Sequence, residues 1–330
     1  MTRGLAPIVP GLALALAANP AGAGASPAPS ATAAVALAQW QHDNARLQTI
    51  GWRLASANAP FCDGAAPSIG LTLLDARQFD RPDAIRAAAH LTGDIAIDTL
   101  AEGSPAALAG LLPNQEVMAI DGATTAAPPR AGDPPFARSA ALHGRIATAL
   151  AKHGKVTLTV ADAQGQPQDV TIAGKPACPV PFALEMGGDR ARADRERVIV
   201  GQAFGATGTA AERIDDSEFA AALAHEMAHR LLGHPALLDR LGRTPEAIRR
   251  TEREADRLSL WLLANAGYDP QAGARLMRGW ARRRDPGLAR LPTHDAWEDR
   301  AGLMERETVR LRAALQRRGQ ADWRQDFLRE

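Results

Sequence analysis

The chain lacks a surplus of charge of either sign. Lys plus Arg number 38 and Asp plus Glu 37, a net charge of +1. A polyanion partner such as nucleic acid is therefore not expected, because it calls for a basic excess. Arg275 to Arg290 is locally basic, and reads as the solvated face of a helix. Past the N-terminus no apolar run approaches the ~20 residues of a membrane span. Cysteine is nearly absent: only Cys62 and Cys178 occur. Neither has a Cys or His neighbour at ligand spacing, which argues against a cysteine-built zinc site. Internal repeats are absent too. What remains is an ordinary globular balance, 46% apolar and 23% charged over 330 residues, enough for a sizeable core in one to three domains.

The N-terminus has the form of an export signal: Arg3, an apolar stretch from Leu5 to Ala18, then Ala23-Gly24-Ala25 as a small-residue cleavage site before Ser26. No Cys follows that site, so a lipid anchor there is not expected. An exported, periplasmic or secreted chain with two cysteines suggests one Cys62–Cys178 disulfide, with two free thiols as the alternative. Residues 26–36, rich in Ala, Ser and Pro, read as a mobile leader. Trp40, Leu47, Ile50 and Leu54 then fall at helical spacing within Gln39 to Ala57.

From about Ser68 short strand-like runs appear: Gly70 to Leu74, Val117 to Ile120, and Val156 to Val160. Asp121-Gly122 signals a tight turn. Ser104-Pro105 opens a short helix, with Ser as N-cap and Pro at the first helical position. Pro128 to Pro135 reads as a loop insertion. After Cys178 the pattern becomes mostly helical. Arg197 to Val200 is a short strand, Asp216-Ser217 caps a helix running to about Leu232, Thr244-Pro245 opens one ending near Gly267, Asp269-Pro270 opens a third, and Pro292 precedes a last long one.

The chemistry is concentrated in His225-Glu226-Met227-Ala228-His229. Residues four apart share one helix face, so both imidazoles reach one metal ion, and Glu226 projects beside it to take a proton from water. Two neutral His and one carboxylate leave a position open for that water and lower its pKa to about 7. The third ligand must come from elsewhere. Glu252 and Asp256 share a face of the next helix, while Glu254 points away. One of the pair could bind metal and the other hold a ligating His by its second nitrogen. His234 reads as a helix-end residue.

Two stretches resemble known families. Ser104-Pro-Ala-Ala-Leu-Ala-Gly through Asp121-Gly122 is similar to the signature of bacterial PDZ domains, which bind an extended peptide at a sheet edge. That resemblance places Ser68, Ile69, Gly70 and Leu71 at the peptide-binding loop. His225 to His229, Thr251-Glu-Arg-Glu-Ala-Asp-Arg257 and Pro292-Thr-His294 with Arg300 resemble in order the motifs of the gluzincin metallopeptidases, which include the CAAX prenyl protease and periplasmic quality-control proteases. That family implies one zinc per chain on His225, His229 and Glu252, with Asp256 behind the ligands. It implies Glu226 as the base, and His294 near the metal, steadying the transition state or plugging the open site. Arg300 is a further candidate for oxyanion stabilisation. Arg190-Ala-Arg-Ala193 stands where relatives have Asn-Ala-Tyr-Ala beside the substrate.

The expectation is thus an α+β chain: signal peptide 1–25, leader and N-terminal helix 26–66, a small β-rich PDZ-like domain 67–177, and a mainly helical zincin-type metallopeptidase domain 178–330. Its expected function is zinc-dependent endoproteolysis of exported or misfolded polypeptides. The alternative is a chaperone-like or PDZ-based binding protein with a latent metal site.

Overall fold

A computed structural model describes residues 29–127, 134, 136–204, 214–283 and 293–330. The signal peptide and its cleavage site, the 128–135 insertion apart from Pro134, and Pro292 lie outside the described residues. The architecture is mixed α+β with small sheets.

Helix α1 (Pro29–Ala57) starts ten residues earlier than the spacing of apolar residues indicated. From Pro29 on, the Ala-rich stretch read as a mobile leader is helical, because Ala is the best helix former and Leu37 gains burial at 4% exposure; residues 26–28 lie outside the described residues. Leu47, Ile50 and Leu54 form its buried stripe. Asn58 closes it, donating its side-chain amide to Leu54 O at 2.9 Å and to Leu262 O at 3.0 Å.

The β-rich region follows with β1 (Ala66–Ser68), β2 (Leu71–Asp75), α2 (Pro82–Ala89), β3 (Ile95–Leu100), α3 (Pro105–Leu108), β4 (Val117–Ile120) and β5 (Ala123–Thr124). Then come α4 (Ala137–His153), β6 (Lys155–Ala161), β7 (Pro167–Ala173) and β8 (Lys175–Ala177). Strands β2 and β3 pair antiparallel, and a four-stranded sheet runs β5-β4-β6-β7. Asp121 and Gly122 both take positive φ, +46° and +73°, the combination a two-residue hairpin of matching twist requires. Ser104 caps α3 by accepting from Ala107 N. Helix α4 has no side-chain cap and escaped the sequence reading, yet its Leu142, Ile146 and Leu150 complete the apolar cluster of this region. Strand β1 pairs with β8, Ala66 against Ala177. The Cys62–Cys178 disulfide, Cα–Cα 5.4 Å, closes the same neck.

The remaining chain adds a sheet ordered β10-β11-β9, from β9 (Phe182–Glu185), β10 (Ala191–Ala193) and β11 (Val198–Gly201). Helices α5 (Asp216–Leu231), α6 (His234–Leu241), α7 (Pro245–Asn265), α8 (Ala272–Arg283), α9 (Trp297–Arg318) and α10 (Trp323–Asp326) follow. Their largest cluster centres on Leu223, Met227, Leu258, Trp261 and Leu262, all fully buried, and includes Leu47 and Leu54 of α1. On α8, Arg275 pairs with Asp269 and Arg278 with Glu298 and Glu305, all partly exposed, so the basic stretch is solvated at these two positions, and residues 284–290 of it lie outside the described residues. No helix among the described residues is long and apolar enough to cross a membrane.

Candidate metal centre

Two helices build the site. Asp215 caps α5, accepting from Glu218 N at 2.8 Å. The buried Phe219, Leu223 and Met227 then fix its rotation against the core. Thr244 caps α7 in the same way. With both helices so set, His225 and His229 from α5 meet Glu252 from α7. Their Nε2 atoms are 3.1 Å apart, and Glu252 lies 3.3 Å from His225 and 3.4 Å from His229. Four donors bonded to zinc at about 2.0–2.1 Å in a tetrahedron sit about 3.3–3.4 Å from one another. Glu252 reaches His225 through Oε2 and His229 through Oε1, so the three residues converge at separations close to these and could hold a metal ion between two imidazoles and a carboxylate.

The surrounding charge agrees. Asp256 is fully buried, and its Oδ1 lies 3.0 Å from His225 Nδ1, off the line of a straight hydrogen bond. Arg300, 4% exposed, donates to both Asp256 oxygens at 2.7 Å and stands 3.4 Å from Glu252. Two buried carboxylates against one guanidinium leave an excess negative charge, which costs heavily without a cation. In the protein alone a proton supplies it: burial disfavours a charged His225, but Asp256 and Glu252 beside it raise its pKa to about 10. Burial pushes Glu252 up, and the two imidazoles overcome this and hold it well below the carboxylate range. Asp256 is likewise lowered against its burial, chiefly by Arg300.

Glu226 sits on α5 beside this cluster, half-buried, and its charge reaches Arg300. His294 Nε2 is 3.5 Å from Glu252 Oε2, and its Nδ1 is 2.9 Å from Thr293 Oγ1. It stands at the rim, outside the three whose donor atoms all lie within 4.8 Å of one another. Burial lowers its pKa. Arg300, sealed from solvent, is engaged with Asp256 and lies against Glu252.

One further residue corrects the sequence reading, and a second adds to it. His234 begins α6, is fully buried, and puts its Nδ1 2.9 Å from His229 Nδ1. Glu254 does point away from the metal face, but it is buried, 3.1 Å from His234 Nε2. A His five residues past His229 and an acid amid Ala255, Leu258 and Leu260 were the available signals.

Ser68, Ile69, Gly70 and Leu71 line a cavity of 660 Å³ between β2, α4, α1 and β9. Ile69 O and Gly70 O accept from Ala106 N and Ala101 N. Gly70 has φ +67°, and a Cβ there would meet Ser104 Cβ at 2.4 Å. The amide of Leu73, farther along β2, donates to His143 Nε2 at 3.2 Å. Among the described residues, none of these four hydrogen-bonds His225, His229 or Glu252. Compared with protein families, characterised proteins and solved structures, the chain matches none.

Proposed function

We propose that this protein is a zinc-dependent endopeptidase of the gluzincin type, acting on exported or misfolded polypeptide. The observation that carries the reading is the spacing of His225, His229 and Glu252 on a sequence motif that adds Glu226 beside them. When bound, zinc supplies Lewis acidity that activates water and polarises a carbonyl. Glu226 accepts the proton of the attacking water and returns it to the leaving amine, a role open to it because it stands half-buried beside the ligands on α5. His294, with its Nδ1 on Thr293 and its Nε2 3.5 Å from Glu252, either plugs the open position at rest or donates from Nε2 to the developing oxyanion. Arg300 and Asp256 hold the ligands in register. The cavity along Ser68 to Leu71 supports a polypeptide-binding role for the PDZ-like region.

The test is hydrolysis of casein by purified protein with and without a chelator, beside Glu226→Gln. The reading expects about one zinc per chain, activity lost with chelator and restored by zinc, and Glu226→Gln inactive with its zinc retained. Zinc-loaded wild type without activity, or an active Glu226→Gln, would overturn it in favour of a binding protein.

A further inference from the structure

His225 and His229 are both held by what lies behind them, and behind His229 the chain of contacts runs to the C-terminus. Glu254 accepts from Arg329 Nε at 3.0 Å and Nη2 at 2.8 Å, and from the Glu330 backbone N at 2.8 Å. Arg329 also donates to Leu232 O at 3.2 Å, the residue that ends α5. The tail is clamped on its other side. Arg257 donates to Leu328 O at 3.0 Å, and Arg253 donates to the Glu330 carboxylate at 2.6 Å.

Proton counting through this chain gives one answer. A carboxylate that accepts from a guanidinium and a backbone amide is ionised, so His234 must donate to Glu254 through Nε2–H. A neutral His234 then has a bare Nδ1, which can only accept. The proton between the two rings therefore belongs to His229 Nδ1. That tautomer leaves the lone pair of His229 on Nε2, the atom facing Glu252 and His225.

We propose that His234 is a positioning residue that fixes the tautomer and ring orientation of His229 for zinc, and that the C-terminal Arg329 and Glu330 complete the site by holding Glu254. This rests on the zinc reading above. It adds a dependence of metal binding on Arg329 and Glu330, some 100 positions from the ligand (329 − 229).

The experiment is a zinc competition titration against a chromophoric chelator, with ¹⁵N spectra of the histidine rings as a second readout. His234→Leu removes the acceptor and is expected to weaken zinc binding by about ten- to hundredfold. His234→Gln offers an amide oxygen to His229 and an amide N–H to Glu254, and restores affinity to within about threefold of wild type. Arg329→Met, at a partly exposed position, weakens binding by about tenfold, the lower end of the range for such supporting residues. In zinc-free wild type the His229 spectrum reports the Nδ1–H tautomer, and in His234→Leu it reports a tautomer mixture. Wild-type affinity in both His234→Leu and Arg329→Met, or an unchanged His229 tautomer, overturns the relay while leaving the zinc reading intact. A wild type that binds no zinc overturns both.

Discussion

His225 and His229 stand one turn apart on α5, yet the protein holds them by different means. Behind His225 is a carboxylate from α7, Asp256, gripped at both oxygens by Arg300 of α9, with every member in the core. Behind His229 is a second imidazole, then Glu254, then Arg329 of the C-terminal tail, whose side chain is 45% exposed. One helix, α7, supplies both carboxylates from different faces. The comparison teaches that a symmetric motif does not imply symmetric support. Because only Arg329 is open to solvent, the half that ends on Arg300 is expected to cost more to break than the half that ends on Arg329.

The largest effect should come from what the two halves share. Glu252→Ala removes the donor 3.3 Å and 3.4 Å from the two imidazoles. It is expected to abolish stoichiometric zinc, measured by metal analysis after dialysis. Full zinc retention would move the third ligand elsewhere and dissolve the comparison. Next in size is a control that favours neither half. Replacing Cys62 and Cys178 with Ala opens a closure of 116 residues, and loop entropy puts the loss at about 4–5 kcal/mol. Denaturant titration reads it, and zinc affinity of the folded fraction should not change.

The two guanidiniums then test core against tail directly. Arg300→Met strands Asp256 and Glu252 as buried charges, and is expected to destabilise by about 3–5 kcal/mol. Arg329→Met leaves the buried Glu254 with His234 and the Glu330 amide as partners and should cost less, about 1–3 kcal/mol. Equal losses in chemical denaturation would refute the asymmetry.

The smallest effect is a pH dependence confined to the tail half. Burial raises Glu254, but His234, Arg329 and the Glu330 amide outweigh it and lower its pKa from 4.5 to about 2. A depressed acid stabilises the fold fully above its unfolded value. That contribution is lost as pH falls from about 4.5 toward 2, and amounts to on the order of 3 kcal/mol at most. In Glu254→Gln the slope of stability against pH should flatten over that window. A slope equal to wild type would show that Glu254 titrates normally and that the tail does not grip it.

Much of this was legible in the amino-acid sequence because it is local. The four-residue spacing of His225 and His229, and of Glu252 and Asp256, sets helix faces whatever surrounds them. Thr244-Pro245 and Ser104-Pro105 mark helix starts through the backbone groups they satisfy, and Asp121-Gly122 marks a turn through its tolerance of positive φ. Less legible were α4, which has no side-chain cap to announce it, and the strands β8, β9 and β10. These are three or four residues long, too short for a period-two pattern, and exist through their partners.

The sequence by itself therefore determined the α+β character, the helix that carries the motif, the acids available to complete it, and the cysteine pair. Tertiary structure alone decided which acid meets which imidazole. Arg300 looks from sequence like a free cation near a motif, and only packing of α9 on α7 commits it to Asp256. His234 and Glu254 looked like a helix-end histidine and an outward acid. They acquire a role because α6 turns back at Gly233, with φ +68°, and because Phe327 to Glu330 returns to α7. Helical spacing fixes direction within one element, whereas the meeting of charges 75 residues apart, as in Arg329 and Glu254, depends on how whole elements pack.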